Sequence, residues 1–389
     1  MTDEFIPLAR PAIGPREEEL VLEVLRSRQL SLGPRLAEFE EAIAARVGAS
    51  HVAAVSSGTA GLHLALRAVG VEAGDEVITT PFSFVASANS VLYEGARPVF
   101  CDIEPRTFTL DPDAAAAAVS DRTSGILPVH IFGYPADLPA FERLAGERGL
   151  WIVEDACEAL GAGHADGVPV GGRGHPAVFA FYPNKQIATG EGGAVVCPDE
   201  TTKASIDSER NQGRAPDMGW LDHDRLGFNY RLSDIACALG LAQMERLDEL
   251  LDARARVAGW YGERLAGREG LDLPCPDADG DRRSWFVYVV QLPTTVDRDA
   301  TIGRMRASGI DAKPYLPAIH LMSFYRERFG HREGEFPVCE EISRRSLALP
   351  FFPELTQGQL DRVSETLLGI ISSSGRGQRS KGSSAVTPS

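Results

Sequence analysis

The chain has 389 residues, of which 43% are hydrophobic and 24% are charged, a composition typical of a soluble globular enzyme. Its 39 basic and 55 acidic residues give a formal charge of −16, which disfavours nucleic acid and anionic membranes as partners. The six cysteines form no Cys-x-x-Cys pair, so neither a disulfide framework nor a zinc site is indicated. The N-terminus does not resemble a signal peptide, and no apolar run approaches the roughly 20 residues that span a bilayer. We expect a cytoplasmic protein that binds no metal.

Short apolar runs alternate with helical segments between about residues 50 and 200. The runs, each of which we predict to be a strand, cover residues 51–55, 76–80, 98–103, 125–131, 151–154, 177–181 and 193–197. Amphipathic stretches such as 61–69 and 138–148 separate the earlier runs. This alternation predicts an α/β fold with a mostly parallel sheet covered by helices on both faces. Because only a Gly-rich loop separates the last two runs, we expect an antiparallel strand there.

The second half of the chain is different in character. Residues 233–266 read as one long helix, capped by Ser233 and with a potential break near Glu249. Beyond it, a strand-like alternation at 285–292 and helical patterns at 297–307 and 356–370 predict a smaller α+β domain. From Ser372 onward the chain has little to bury, which predicts disorder. The expected organisation is a large domain over 1–245, a small C-terminal domain over 246–371 and a disordered tail over 372–389.

The segment Ser56-Ser57-Gly58-Thr59-Ala60-Gly61 follows the first apolar run and opens a helix. Small residues there let backbone N–H groups approach an anion, and the helix dipole favours negative charge. The spacing lacks the Gly-x-Gly-x-x-Gly fingerprint of a dinucleotide site, which disfavours a dinucleotide-dependent oxidoreductase. A single phosphate therefore suits this turn. An ordinary turn between strand and helix, with Ser or Thr as the N-cap, would have the same kind of sequence.

Two further residues follow strands of the predicted sheet. Asp155 ends the run 151–155, at the edge where ligands bind in open α/β sheets, and an acid there suits a pyridinium nitrogen. Lys185 lies in a Gly-rich turn after the strand 177–181. A desolvated lysine loses its proton more readily, and only the neutral amine forms a Schiff base. Taken alone, Asp155 could be an exposed turn acid or a helix cap, and Lys185 could be a surface lysine. Together with the predicted phosphate-binding turn at 56–61, the two residues favour pyridoxal phosphate as a cofactor.

Four segments resemble the DegT/StrS-type sugar aminotransferases. They are Ser-Gly-Thr-Ala at 57–60, Glu-Asp-Ala-Cys at 154–157, Phe-Tyr-Pro-Asn-Lys at 181–185 with Gly-Glu-Gly-Gly at 190–193, and Gly-Phe-Asn-Tyr-Arg-Leu-Ser-Asp at 227–234. The resemblance extends from about Ile6 to about Leu368. It implies fold type I of the pyridoxal-phosphate enzymes (aspartate-aminotransferase-like), in which the large domain binds the cofactor. It also implies a homodimer with active sites shared at the subunit interface.

The resemblance assigns roles to individual residues. Lys185 would hold the cofactor as a Schiff base, and Asp155 would bind its ring nitrogen. The backbone amides of Gly58, Thr59 and Ala60 would bind its phosphate.

Further roles and two departures from the family pattern follow. Phe84 would stack on one face of the ring and Cys157 on the other, and Asn229 would reach the phosphate from the neighbouring subunit. The family often has a phosphate-binding Ser where this chain has Ala180, so the backbone amides and Asn229 must hold the phosphate here. Where Gln or His often follows the ring acid by three positions, this chain has Glu158. A carboxylate beside the ring hydroxyl must be protonated or share a proton.

Perosamine-synthase-like members have similar sequences around the equivalent of Glu158, and they aminate C4 of a nucleotide-linked 4-keto-6-deoxy sugar. We therefore predict amino transfer from glutamate to such a sugar, in amino-sugar biosynthesis for a polysaccharide or an antibiotic. Related dehydratases have histidine in place of Lys185, so its presence favours transamination. Arg231, Tyr315 and His320 are the candidate substrate contacts. The alternatives are a keto-cyclitol or nucleotide-free keto sugar as acceptor, or a non-catalytic cofactor- or sugar-binding regulator with the same fold.

Overall fold

The first two thirds of the chain build a central sheet, seen in a computed structural model that describes residues 5–215, 222–278 and 280–381. The elements of this part are, in chain order, α1 (Pro15–Ser27), α2 (Pro34–Val47), β1 (His51–Val55), α3 (Gly58–Ala68), β2 (Glu76–Thr79), α4 (Ala86–Tyr93), β3 (Arg97–Phe100), α5 (Pro112–Ala117), β4 (Thr123–Ile126), α6 (Leu138–Arg148), β5 (Trp151–Ile152), β6 (Glu154–Asp155), β7 (Ala177–Ala180), β8 (Gly193–Cys197), α7 (Glu200–Glu209) and α8 (Asp234–Glu245). A single turn of 3₁₀-helix lies at Ile131–Gly133.

The strands follow the orders β1-β8-β7-β6 and β3-β2-β4-β5. Only Val153 separates β5 from β6, so the two sheets continue into each other. Pairing is parallel within β3-β2-β4-β5 and between β6 and β7, whereas β8 runs antiparallel to both β7 and β1. The predicted mostly parallel α/β sheet is therefore confirmed, and the antiparallel strand enters where it was expected.

The continuous apolar runs have a direct structural cause in β8. Its consecutive residues belong to opposite faces of the sheet: Ala194 and Val196 pack into a cluster with Phe39 of α2, and Val195 packs into a cluster with Leu62 of α3. Since successive strand residues point to opposite faces, a sheet with helices on both sides needs apolar residues at every position. The sequence consequently shows no alternation of apolar and polar residues in this strand.

The remaining elements form a smaller α+β unit. They are α9 (Leu247–Leu265), β9 (Tyr288–Gln291), α10 (Arg298–Ala307), β10 (Lys313–Pro314), α11 (Ser323–Phe329), α12 (Pro337–Arg345), β11 (Ser346–Leu349) and α13 (Gln357–Lys381), with a 3₁₀ turn at Ile319–Leu321. The strands pair antiparallel in the order β10-β11-β9. The start of the chain joins this unit, because Ile6 bridges to Ile310 and lies in the same apolar cluster.

The predicted long helix is divided into α8 and α9 at Arg246, three residues before the expected break at Glu249. Arg246 leaves helical geometry at φ −125° and ψ 24°. Its guanidinium donates to Glu17 Oε1 at 2.9 Å and to the carbonyl of Ala12 at 2.8 Å, which fixes the break against the start of the chain. The N-cap was predicted correctly, since Ser233 Oγ accepts from the amide of Ala236.

Helix α13 continues to Lys381, past the point at which we expected a disordered tail to begin. The Ser372 hydroxyl donates to the carbonyl of Leu368, and Arg304 Nη1 of α10 donates to Ser373 Oγ at 2.9 Å. These hydrogen bonds stabilise α13 where the tail was expected to begin. The rest of the predicted tail, residues 382–389, lies outside the described residues. In the described parts of the chain, no helix is both long and apolar enough to cross a membrane.

A buried arginine connects the two parts of the molecule. Arg254 of α9 donates from Nη2 to the carbonyl of Lys185 at 2.7 Å and from Nη1 to the carbonyl of Phe286 at 3.1 Å. Burial lowers the pKa of Arg254 to about 10. No carboxylate within residues 5–215, 222–278 and 280–381 pairs with it, so its charge is balanced by carbonyl dipoles. The sequence patterns did not single out this residue.

We expect Arg254→Met to lower the free energy of unfolding by about 2–3 kcal/mol, because it leaves buried carbonyls without donors. The measurement is urea unfolding followed by circular dichroism. Arg256→Met on the same helix is the matched control, since Arg256 is exposed, and its unfolding should stay within about 0.5 kcal/mol of wild type. Equal effects of the two substitutions would contradict the structural role of Arg254.

Candidate active site

A cavity of about 440 Å³ opens at the carboxyl ends of β1, β6 and β7. Parallel strands bring their carboxyl ends to one edge of a sheet, which is where ligands bind in this architecture. Residues predicted from the sequence that line the cavity are Gly58, Thr59, Phe84, Asp155, Cys157, Glu158, Lys185 and Tyr315. The structure thus gathers side chains from segments more than 250 residues apart in the sequence.

The N-terminus of α3 forms one wall of this cavity. Ser57 is the N-cap, and its Oγ accepts from the amide of Ala60 at 3.1 Å. The amide of Gly61 donates to the carbonyl of Ser57. Among the described residues, the amides of Gly58 and Thr59 have no acceptor, as expected for the first turn of a helix. An anion at this wall would therefore meet Gly58 and Thr59, whereas the amide of Ala60, also predicted as a donor, is already engaged.

Glycine at position 58 allows two strand ends to approach the helix closely. A Cβ atom on Gly58 would lie 2.7 Å from Cβ of Ala180 and 2.8 Å from Sγ of Cys157. A Cβ on Gly193 would likewise lie 2.7 Å from the carbonyl carbon of Ser57. Any side chain at these positions would push β1 away from its neighbours. The helix terminus is therefore presented to the cavity as bare backbone.

Asp155 ends β6 and faces the cavity from a buried position. Its Oδ2 accepts from the hydroxyl of Ser87 at 2.6 Å, and its Oδ1 accepts from the amide of Cys157 at 3.2 Å. These donors fix the plane of the carboxylate and satisfy part of its hydrogen-bonding capacity. Ser87 lies on α4, and no sequence pattern predicted that it would contact Asp155.

Lys185 follows β7 and contacts a second buried acid. Its Nζ lies 3.4 Å from Oε1 of Glu158 and 4.0 Å from the ring centroid of Phe286. Both contacts stabilise positive charge, the first by charge and the second by the ring quadrupole. Burial raises the pKa of Glu158, and the nearby Lys185 ammonium opposes that rise. An ammonium at Lys185 and a carboxylate at Glu158 would therefore stabilise each other.

The other oxygen of Glu158 is held by the backbone. Its Oε2 accepts from the amide of Phe132 at 2.8 Å. Phe132 has the left-handed conformation, with φ 55° and ψ 23°, which costs a non-glycine residue roughly 1–2 kcal/mol. The hydrogen bond to a buried carboxylate offsets that cost. Phe132 is a second residue of the site that the sequence did not indicate.

The remaining side chains of the wall are largely apolar or neutral. The ring of Phe84 is 62% exposed at the mouth of the cavity. Burial raises the pKa of Cys157 well above its ordinary value, so its sulfur remains a neutral thiol. Burial also raises the pKa of Tyr315, which keeps its phenol protonated as a hydrogen-bond donor. Within the described residues there is no group of three or more His, Cys, Asp and Glu that could hold a metal ion.

Besides Ala60, three predicted residues do not line this cavity. Asn229 is exposed on a segment beside the site, and Arg231 donates from Nη1 to Asn211 Oδ1 and Gln212 Oε1. His320 is fully buried, and its Nε2 lies 3.1 Å from Oε1 of Glu340. The turn that carries His320 faces inward, so its ring is not available to a ligand of this cavity.

The sequence profile of the DegT/DnrJ/EryC1/StrS aminotransferase family matches residues 11–368. The chain belongs to this family. GDP-perosamine synthase of Caulobacter vibrioides is 38% identical over 94% of this chain and 98% of its own length. The spore coat polysaccharide biosynthesis protein SpsC of Bacillus subtilis is 34% identical over 95% of this chain and 98% of its own length. The resemblance to DegT/StrS-type aminotransferases is therefore confirmed.

A solved structure supports the fold assignment. DesV of S. venezuelae, in complex with a ketimine intermediate, superposes with a TM-score of 0.88 at 32% identity, covering 95% of this chain and 99% of that chain. The predicted fold type of the DegT/StrS family is thereby confirmed. As a member of this aminotransferase family, the chain is an aminotransferase.

We expect Glu158→Gln to change stability in a pH-dependent way. Because burial raises the pKa of Glu158 above its ordinary 4.5, the folded protein retains a proton that the unfolded chain has lost. The stability contributed by Glu158 is complete below about pH 4.5 and is lost as pH rises through the raised pKa. Glutamine cannot ionise. The thermal midpoint of the variant minus that of wild type should therefore increase as pH rises above about 4.5 in ligand-free protein.

Glu147→Gln provides the matched control for this experiment, since Glu147 is exposed on α6. The thermal midpoint of Glu147→Gln minus that of wild type should remain constant over the same pH range. If the difference in thermal midpoint for Glu158→Gln decreases as pH rises, the Lys185 ammonium lowers the pKa of Glu158 more than burial raises it.

Proposed function

We propose that this aminotransferase uses pyridoxal phosphate to move an amino group from glutamate to a keto sugar, with a nucleotide-linked 4-keto-6-deoxy sugar as the acceptor. The observation that carries the proposal is that Lys185 Nζ, the Asp155 carboxylate and the N-terminus of α3 all face one cavity. An amine, an acid and free amides complement the aldehyde, the ring nitrogen and the phosphate of this cofactor, respectively.

The residues present fit that cofactor. The amides of Gly58 and Thr59, which have no acceptor among the described residues, suit a phosphate. Asp155 is a buried carboxylate already oriented by its two donors, as a partner for a cationic ring nitrogen requires. The residues proposed to hold the cofactor are Gly58, Thr59, Phe84, Asp155, Cys157, Glu158 and Lys185, with Asn229 supplied by a second copy.

When bound, pyridoxal phosphate supplies an electron sink that allows a proton to leave the α-carbon of the amino donor. Lys185 would remove that proton and return it to the cofactor side, because its Nζ faces the cavity. Glu158, at 3.4 Å from Nζ, would stabilise the ammonium form of Lys185 after it has taken the proton. Asp155 would keep the ring nitrogen protonated. The side chain of Leu316 adds an apolar wall that limits access of water.

A homodimer with shared sites is part of this proposal. Phe84 and Tyr182 are 62% and 53% exposed at the cavity of a single chain. Large aromatic side chains grouped in this way favour a protein interface. Asn229 is exposed and does not line the cavity of its own chain. A second copy covering the cavity mouth would bury the aromatic rings and bring its own Asn229 and Arg231 to the site.

The acceptor is proposed from two observations. GDP-perosamine synthase is among the relatives, and its name indicates a nucleotide-linked amino sugar. The Glu158 position matches the pattern that perosamine-synthase-like members have. Tyr315 would donate a hydrogen bond to the acceptor from the cavity wall, since burial keeps its phenol protonated.

Borohydride reduction of the protein in the presence of pyridoxal phosphate should attach a phosphopyridoxyl group to Lys185. Peptide mass spectrometry locates the adduct. Lys185→Ala should abolish it because, among the described residues, Lys185 is the only lysine that lines the cavity with Asp155. Lys313→Ala, a change of an exposed lysine, should leave the adduct at the wild-type level. Wild-type labelling of Lys185→Ala would refute the assignment.

The substrates are tested in two half-reactions. Glutamate should convert the bound cofactor to its amine form and release 2-oxoglutarate, which an enzymatic assay quantifies. The amine form is then offered nucleotide-linked 4-keto-6-deoxy sugars, their nucleotide-free counterparts and keto-cyclitols, and NMR identifies the aminated carbon. Reaction at C4 of the nucleotide-linked sugar is expected. Reaction with a nucleotide-free acceptor alone would refute the acceptor assignment, and no release of 2-oxoglutarate would refute glutamate as the donor.

A further inference from the structure

A buried polar cluster lies on α3, away from the cavity. His63, only 4% exposed, places Nε2 at 2.6 Å from Oε1 of Glu94 and Nδ1 at 3.2 Å from the hydroxyl of Tyr230. None of these residues lines the cavity, and the proposed mechanism uses none of them. The cluster nevertheless connects the helix that begins at Gly58 to the segment that carries Asn229.

The chemistry of the partners fixes the protonation of the ring. A carboxylate only accepts hydrogen bonds, so the His63 proton lies on Nε2 and is donated to Glu94. Burial lowers the pKa of His63, which keeps the imidazole neutral near pH 7. Nδ1 therefore carries a lone pair and accepts the hydroxyl proton of Tyr230. Each polar atom of the ring has one defined partner.

The aromatic residues on either side of Asn229 pack against this histidine. The rings of Phe228 and Tyr230 are stacked, with centroids 5.0 Å apart and an angle of 11° between their planes. The His63 ring lies 4.8 Å from that of Phe228 and 5.9 Å from that of Tyr230. Asn229, between them in sequence, is exposed. Phe228 and Tyr230 thus anchor the segment on its inner side, while Asn229 stays at the surface.

Arg67, one turn after His63 on α3, adds a second set of bonds. It donates from Nε to Glu209 Oε2 at 2.6 Å and from Nη1 to Glu94 Oε2 at 2.9 Å. Its guanidinium carbon lies 5.3 Å from the ring centroid of Phe228. The ends of α4 and α7 are thereby fixed to the same face of α3.

The backbone of the segment is fixed on both sides as well. The amide of Phe228 donates to the carbonyl of Glu209, and the carbonyl of Tyr230 accepts from the amide of Ser56 at 2.7 Å. Ser56 immediately precedes Ser57, the N-cap of α3. The position of Asn229 is therefore set relative to the same helix terminus that presents the amides of Gly58 and Thr59.

We propose that His63 is a positioning residue for Asn229. Through Tyr230 and Phe228 it holds residues 228–230 so that Asn229 can bind the cofactor phosphate in the site of a second copy. This inference rests on the proposed function. Helix α3 then serves two sites at once, since its N-terminus forms the phosphate wall of its own site and His63 positions the amide side chain for the other.

The test uses mixed dimers in which only one Lys185 is present. Two differently tagged chains are co-expressed and purified on both tags, and one of them carries Lys185→Ala. Borohydride trapping is then measured against the pyridoxal phosphate concentration, which reports cofactor binding at the single remaining lysine without any turnover. His63→Leu is placed either on the chain that has Lys185 or on the chain that lacks it.

If His63 positions Asn229 for the other chain, His63→Leu on the chain lacking Lys185 should raise the half-saturating cofactor concentration about tenfold. On the chain that has Lys185, it should leave this concentration within about twofold of wild type. The reverse pattern, or no effect in either arrangement, would overturn the proposal. His51→Leu is the matched histidine control, because His51 lies at the end of β1 farthest from the N-terminus of α3. It should leave the half-saturating cofactor concentration unchanged in both arrangements.

Asn229→Ala in the same two arrangements separates this inference from the function on which it rests. If Asn229→Ala on the chain lacking Lys185 raises the half-saturating cofactor concentration and His63→Leu does not, His63 does not position Asn229, but the site is still shared between the two chains. No effect of Asn229→Ala across the dimer sinks the shared site itself.

Tyr230→Phe removes only the hydroxyl and preserves ring stacking, so it keeps the test available if His63→Leu does not fold. It should produce a cross-dimer effect in the same direction as His63→Leu but smaller, about threefold. A lowered thermal midpoint without any change in trapping would show that His63 and Tyr230 contribute to stability alone.

Discussion

The approach of bare backbone at Gly58 to the ends of two neighbouring strands is the constraint on which the site depends. Because a Cβ there would meet Ala180 and Cys157 below 3 Å, β1, β6 and β7 can end side by side only if position 58 lacks a side chain. The first amides of α3, the Asp155 carboxylate and the Lys185 amine then share one cavity. Each of these groups is common in proteins. The proposed function rests on their position around the same cavity.

The contact between buried Glu158 and half-buried Lys185 adds a second constraint to this convergence. Glu158 would be costly as an isolated charge in its buried position, and Lys185 would be costly to a smaller degree. At 3.4 Å they compensate each other, and the amide of Phe132 satisfies the remaining carboxylate oxygen. The pair keeps a proton close to the position where the proposed reaction needs one. The left-handed backbone at Phe132 is tolerated because it supplies this hydrogen bond.

The parts of the structure that follow from local sequence were predictable. Apolar runs such as residues 193–197 indicated strands because both faces of the sheet are covered. Asp155 and Lys185 could be placed at the cavity because Asp155 ends one such run and Lys185 lies in the turn after another. Ser87, Phe132 and Arg254 were missed, since each reaches the site from a distant segment by a contact that no local pattern encodes. His320 shows the same limit in reverse: its neighbour Tyr315 lines the cavity, but the intervening turn directs the imidazole to Glu340.

Arg254 has a mechanical consequence. Its guanidinium spans from α9 to the carbonyl of Lys185 and to that of Phe286, the ring over which the lysine amine rests. A rotation of the C-terminal unit against the sheet would have to break these bonds or carry the lysine loop with it. As long as these bonds hold, the Lys185 amine moves together with α9, so a displacement of the C-terminal unit towards the cavity would also change the depth at which that amine enters it.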